Sequence, residues 1–124
     1  MNNFNGKTAV ITGAASGIGF ALAKHAAAQG MSLVLADIDE AALQAAAEQL
    51  SLPADRVLAL RTDVRHAAEI KALADAAYGK FNQVHLLFNN AGVALARTTW
   101  EHTVADWEWI LQVNLWSVVH GISE

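Results

Sequence analysis

The sequence predicts an α/β domain: a doubly wound parallel sheet of about four strands, in the order 3-2-1-4, with helices on both faces. Two observations carry this. Four short apolar runs, Thr8 to Ile11, Ser32 to Ala36, Arg56 to Leu60 and Val84 to Phe88, are nearly continuous rather than alternating, as in strands buried on both faces. Alanine-rich stretches of helical length lie between them, and alanine both favours helix and lets a helix approach a sheet closely. A β-α-β-α-β-α-β alternation of this kind implies right-handed crossovers and a ligand crevice between strands 1 and 4, where the order reverses.

The first strand runs into Thr12-Gly13-Ala14-Ala15-Ser16-Gly17-Ile18-Gly19 and then into a helical stretch from Gly17 to Gln29, stopped by Gly30. A strand, a glycine-rich turn and a helix N-terminus suit a dinucleotide's pyrophosphate: glycines let amides approach phosphate oxygens, and the helix dipole favours the anion. The spacing is Gly-x-x-x-Gly-x-Gly, a variant of the commoner fingerprint, and a tight packing turn is the plainer alternative.

Asp37 ends the second strand, 18 residues after Gly19. There a carboxylate can accept from both ribose hydroxyls of an adenosine, a charge-assisted contact of about 1.5–3 kcal/mol. It would repel a 2′-phosphate, and no Lys or Arg adjoins it in sequence or stands in the glycine turn, which favours NAD over NADP. Helix capping is the competing role, but Asp39 fills it better at the head of the stretch Asp39 to Leu50. Pro53 marks the loop before the third strand.

Asp63-Val64 follows that strand, where the carboxylate could accept from an adenine amino group beside Val64, or simply cap the helix from about His66 to Tyr78. Asn89-Asn90-Ala91-Gly92 follows the fourth strand; these residues suit a turn with left-handed backbone, or the floor of a cofactor pocket. Thr103 and Asp106 form a capping-box pattern opening a helix to the end of the chain. One stripe of that helix reads Ile110, Leu111, Asn114, Leu115, Val118, Ile122 and is expected to cover the sheet. A second, Trp109, Val113, Trp116, His120, is left wanting a partner, unless its tryptophans pack under the Ala94 to Trp100 loop. Gly121 is a candidate C-cap, though the helix can equally run on through it. Asn114 is a polar residue inside an apolar stripe; most such asparagines only satisfy local hydrogen bonds.

Composition narrows the rest. At 124 residues the chain is one domain, 1–124, and no apolar run has the length of a membrane span. A net charge of −4 without a basic cluster argues against nucleic acid. His25, His66, His85, His102 and His120 are dispersed, so no metal site is expected, and the absence of cysteine removes disulfides and thiolate chemistry. No secretory signal is visible, which gives a cytoplasmic location by default.

Taken together, TGAASGIG, the position of Asp37, Asp63-Val64, NNAG and Val113-Asn114 resemble the N-terminal part of a short-chain dehydrogenase/reductase, over essentially the whole chain. The resemblance implies a Rossmann fold and NAD-dependent hydride transfer with a small alcohol or ketone as substrate. It implies that Gly13, Ser16, Gly17, Ile18 and Gly19 hold the phosphates and nearby ribose, that Asp37 selects NAD, that Asp63 and Val64 meet adenine, and that Asn90, Ala91 and Gly92 line the ribose side. Asn114 matches the family's catalytic asparagine, which orders a water between the active-site lysine and a proton relay. In many members the helix carrying it packs against its counterpart in another subunit, so a homo-oligomer through the last helix (Trp109, Trp116) or the exposed strand edge is expected.

The family's serine and Tyr-x-x-x-Lys have no match here: Tyr78 is the only tyrosine, Asn82 stands four residues beyond it, and Ser117 and Ser123 lie too close to Asn114. The expectation is a partial chain that holds cofactor but is inactive alone. A stand-alone NAD-binding module and an assembly module are the alternatives.

Overall fold

The computed structural model describes residues 3–124. Its sheet holds four parallel strands in the order β3-β2-β1-β4, with β1 Thr8–Thr12, β2 Ser32–Asp37, β3 Val57–Arg61 and β4 Leu86–Phe88. Helices α1 Gly17–Ala28, α2 Glu40–Gln49 and α3 Ala67–Phe81 make the crossovers. Side chains of a strand alternate between faces, and the core divides accordingly. Ala9, Ile11, Leu33 and Leu35 face α1 and α2, meeting Ala23, Ala26 and Leu43. Val10, Val34 and Ala36 face α3 through Leu73 and Ala77. Only the two inner strands are buried throughout; β3 and β4 are half-buried, because each lies at an edge. β4 is also two residues shorter than its apolar run, beginning at Leu86.

Helix ends follow from the sequence. Asp39 caps α2, accepting from the Ala42 amide at 3.0 Å. α3 runs three residues past Tyr78 and ends where Asn82 takes a left-handed conformation at φ 63°. Its N-cap is His66, not Asp63, which removes the capping role considered for Asp63. Thr103 and Asp106 form the expected capping box.

The last helix corrects the sequence reading. It comprises α4 Val104–Leu111, a π-helical segment Gln112–Trp116, and α5 Ser117–Ser123, so Gly121 lies inside it rather than capping it. The buried residues are Val113 and Ser117, while Leu111, Leu115 and Ile122 of the stripe expected to cover the sheet are exposed. Trp109 packs inward beside Val64, Ile70 and Val113 rather than under the Ala94 to Trp100 loop. Trp116 stays half exposed and stacks on His120, their ring centroids 6.0 Å apart. The inward line advances in steps of four residues, Val113 to Ser117 to Gly121, the ordinary spacing of one helix face, and after Val113 small residues rather than bulky ones occupy it. The Ser117 hydroxyl donates to the Val113 carbonyl, an i−4 bond of the kind that bends helices. Small side chains on this line bring α5 close to the sheet edge: a Cβ on Gly121 would meet Oδ1 of Asn89 at 2.5 Å.

Among the described residues no helix is long and apolar enough to cross a membrane. Val113→Asp, which places a charge in a closed apolar cluster, is expected to cost more than about 3 kcal/mol, and Ile122→Asp no more than about 0.5 kcal/mol, in urea denaturation. Equal costs would return the stripe assignment to its sequence-based form.

Candidate functional site

The carboxyl ends of the strands open into a cleft of about 500 Å³ at the point where the strand order reverses. The turn after β1 forms one wall. Gly13 has φ +65°, and a Cβ there would stand 3.0 Å from both Cα of Ala91 and Nδ2 of Asn90. Gly17 has φ +55° with open space around it, so its demand is conformational. Gly19 is buried, and any Cβ would run into the Gly13 carbonyl oxygen, so its absence lets α1 press onto the turn. Ser16 precedes α1 in extended conformation and its side chain caps nothing. The first-turn amides of α1 therefore lack an intrahelical acceptor, and no acidic residue offsets the positive end of the helix. Such an end is suited to an anion.

Two residues tie this wall to the opposite one. The Thr12 hydroxyl accepts from the amides of Asn90 and Ala91, both at 3.1 Å, and donates to the Phe88 carbonyl at 3.3 Å. Nδ2 of Asn90 donates back to the carbonyls of Thr12 at 3.0 Å and Gly13 at 3.3 Å. The asparagines after β4 thus serve through their hydrogen bonds, because among the described residues only Ser51 and Asn82 are non-glycines with left-handed backbone.

Asp37 stands at the tip of β2 with its carboxylate in the cleft. Its Oδ2 accepts from the Ala15 amide at 3.0 Å and its Oδ1 from the Asp39 amide at 3.1 Å. Each oxygen keeps further acceptor capacity. Asp63 is placed differently: it is 4% exposed and gripped by Arg65. Its Oδ1 accepts from Nε and the backbone amide of Arg65, at 2.9 and 3.1 Å, and its Oδ2 from Nη2 and Nε, at 2.6 and 3.1 Å. The Arg65 guanidinium holds the Asp63 carboxyl down to about 2, against the opposing effect of burial.

Asn114 lies in the π segment, behind the cleft rather than in its lining. Its Oδ1 accepts from the Val93 amide and its Nδ2 donates to the Val93 carbonyl, both at 2.8 Å. A π turn often marks a functional site, and here it aims one amide side chain at both polar atoms of a loop residue.

Of the residues singled out in the sequence, Gly13, Ser16, Ile18, Asp37, Asp63, Val64, Asn90, Ala91 and Gly92 line one cleft, while Gly17, Gly19 and Asn114 shape it from outside the lining. The sequence reading missed Ile38, Thr62, Arg65 and Trp109, which also line it, as does Val93. It also missed that the strand register sets Arg61 opposite Asp37. Arg65 adjoins a motif residue and carries charge, a signal that was available; Arg61 needed the register.

A family model described as short chain dehydrogenase matches residues 7–124. The chain belongs to the short-chain dehydrogenase family. Over 122 residues it is 40% identical to a CLA biosynthesis dehydrogenase/reductase of Lactiplantibacillus plantarum, covering 98% of this chain and 43% of the relative. It is 34% identical to a cyclohexanol dehydrogenase of Acinetobacter sp. over 98% of this chain and 49% of the relative. A crystal structure of a short-chain dehydrogenase/reductase from Burkholderia phymatum in complex with NAD is 50% identical, with a TM-score of 0.94, over 99% of this chain and 44% of that one. The chain spans less than half the length of these family members. The fold is the family's Rossmann-type sheet, and the relatives are oxidoreductases.

The depressed carboxyl of Asp63 makes a pH prediction. A group whose native pKa lies below its ordinary 3.8 adds stability that is complete above that value and fades as pH falls toward 2. The contribution is about 2 kcal/mol. The difference in urea stability between the unaltered protein and Asp63→Asn should be constant above about pH 5 and shrink between pH 4 and pH 2.

Proposed function

We propose that this chain is the dinucleotide-holding part of an NAD-dependent oxidoreductase acting between a small alcohol and a ketone. The observation that carries the proposal is the placement of Asp37: its carboxylate is held in the cleft by an amide of the glycine turn, one strand away from open helix-end amides. The cleft fits the cofactor on its own evidence, since the turn excludes Cβ atoms where it meets the opposite wall and leaves space beside Gly17. Bound NAD would supply the carbon that accepts or gives the hydride. The amides around Gly13, Ser16, Gly17, Ile18 and Gly19 hold the diphosphate, Asp37 the adenosine ribose, Asp63 and Val64 the base, and Asn90, Ala91 and Gly92 the ribose of the nicotinamide side.

Preference for NAD over NADP rests on charge. Asp37 repels a 2′-phosphate, and the two neighbouring cations already have carboxylate partners, Arg61 with Glu69 at 3.2 Å and Arg65 with Asp63 at 2.6 Å. The NAD found in the Burkholderia phymatum neighbour supports this choice. Asn114 is carried over as the family's relay asparagine; its amide is committed to Val93, so its part is to hold that loop against the cleft. Proton exchange with the substrate oxygen is assigned to residues outside these 124, and the chain alone is expected to bind cofactor without turnover.

Asp37→Ala should weaken NADH binding more than tenfold, read by quenching of tryptophan emission, because a charge-assisted contact is worth about 1.5–3 kcal/mol. Unchanged affinity would reduce Asp37 to a brace for the glycine turn. The exposed line Leu111, Leu115, Trp116 and Val119 is assigned to a second copy of the chain, an apolar stripe being able to pair with itself about a two-fold axis. Light scattering should show a dimer or larger that Leu115→Glu dissociates, and a monodisperse monomer would end this assignment.

A further inference from the structure

Two arginines stand near the mouth of the cleft, and they are held unequally. Arg65 lies in the lining and gives three guanidinium contacts to the nearly buried Asp63. Arg61 ends β3, pairs in register with Asp37, and among the described residues has one acceptor, Oε2 of Glu69 at 3.2 Å. Residues paired across neighbouring strands lie about 4.8 Å apart and send their side chains to the same face. Arg61 therefore starts beside the carboxylate assigned to the ribose, yet it stays outside the cleft lining. Glu69, in the first turn of α3, draws it off. Glu69 is itself fixed, since the same Oε2 accepts from the Asp63 amide at 2.6 Å.

We infer that Glu69 is a positioning residue for dinucleotide choice: it holds the Arg61 guanidinium away from Asp37, and without its charge Arg61 turns to the ribose and admits a 2′-phosphate. The inference rests on the cofactor reading above and deepens it, naming a residue besides Asp37 on which rejection of NADP depends. A guanidinium is a fork of donors without an acceptor, matched to carboxylate and phosphate oxygens. Released from Glu69, that of Arg61 has two anionic places to go, the Asp37 carboxylate and a 2′-phosphate bound beside it. The first move neutralises the charge that repels the phosphate, and the second pairs with the phosphate directly. Arg65 cannot take this part, because Asp63 keeps its fork whatever happens to Glu69.

The test titrates the protein with NADH and with NADPH, following quenching of tryptophan emission, and reads the ratio of the two dissociation constants. Glu69→Gln keeps an oxygen for the Asp63 amide and removes the charge that faces Arg61. The Arg61 and Glu69 side chains are 43% and 36% exposed, and pairs so exposed set a scale of a few-fold. The unaltered protein is expected to favour NADH, and Glu69→Gln to reduce that preference more than about threefold. The same change made in Arg61→Gln should move the ratio less than threefold. A purely structural role for Glu69 weakens both dinucleotides alike and leaves the ratio in place, which overturns the inference and spares the cofactor reading. An equal fall with and without Arg61 also overturns it, since the charge of Glu69 then acts by itself. Failure of the unaltered protein to bind either dinucleotide overturns the cofactor reading and this inference together. Should Glu69→Gln fail to fold, Arg61→Gln serves instead: a guanidinium held away leaves the ratio within threefold of the unaltered value, and a larger change overturns the inference.

Discussion

The cleft depends on one reciprocal clamp, between Thr12 at the tip of β1 and Asn90 just after β4. One hydroxyl takes two backbone amides and one carboxamide returns two donors to backbone carbonyls, so the two loops that face each other across the switch point are hydrogen-bonded into one body. The clamp also dictates glycine at two places. With Asn90 drawn against the turn, Gly13 has no room for a side chain, and α1 reaches the same turn only because Gly19 has none. Remove the clamp and two amides lose their acceptor in a partly buried place, at about 1–3 kcal/mol for each unsatisfied group. The open first-turn amides of α1 are set beside the cleft because the turn before them is fixed in this way.

Electrostatics then divides labour between two acidic residues that look alike in sequence. Each follows or ends a strand, and each lies in the cleft. Asp37 receives one backbone amide on each oxygen, contacts that orient it without exhausting it. Asp63 receives a cation by its fork as well as a backbone amide, contacts that bury and neutralise it. The first is an oriented acceptor and the second the floor under a guanidinium. The difference comes from one neighbour: Arg65 two residues after Asp63, Asp39 two residues after Asp37.

That comparison shows where sequence reasoning reaches and where it stops. The inner strands, the glycine turn, the Asp39 cap and the capping box at Thr103 are all local patterns, and each appears where the sequence put it. The sheet order is one of those common to doubly wound domains with this alternation of elements, and the structure has it. What failed was anything that required knowing a phase or a partner. β3 read as buried on both faces because an edge strand carries the same apolar run as an inner one, whereas the bare edge expected at β4 is there, half-buried. Arg61 was invisible beside Asp37 because the register that pairs them is tertiary. Arg65 was in plain view, yet a motif-led reading stops at Asp63-Val64.

The last helix is the sharpest case, and its error ties fold to site. Hydrophobicity chose Leu111, Leu115 and Ile122 as the inward face. The line that packs inward instead runs through Val113, Ser117 and Gly121, the last two being small enough to let α5 approach the sheet edge, and a π turn lies along it. A widened turn forgoes the tighter hydrogen bonding of the α-helix, and such a turn persists where the surroundings hold it. Here two things hold it: the Ser117 hydroxyl on the Val113 carbonyl, and the Asn114 amide on both polar atoms of Val93. The second bond pair is a constraint on the cleft wall, since Val93 continues directly from the Asn90 to Gly92 segment that Thr12 grips. One path of hydrogen bonds therefore runs from the first strand through the loop after β4 to the last helix. The asparagine that looked like a lone polar residue on an apolar stripe is where that path ends.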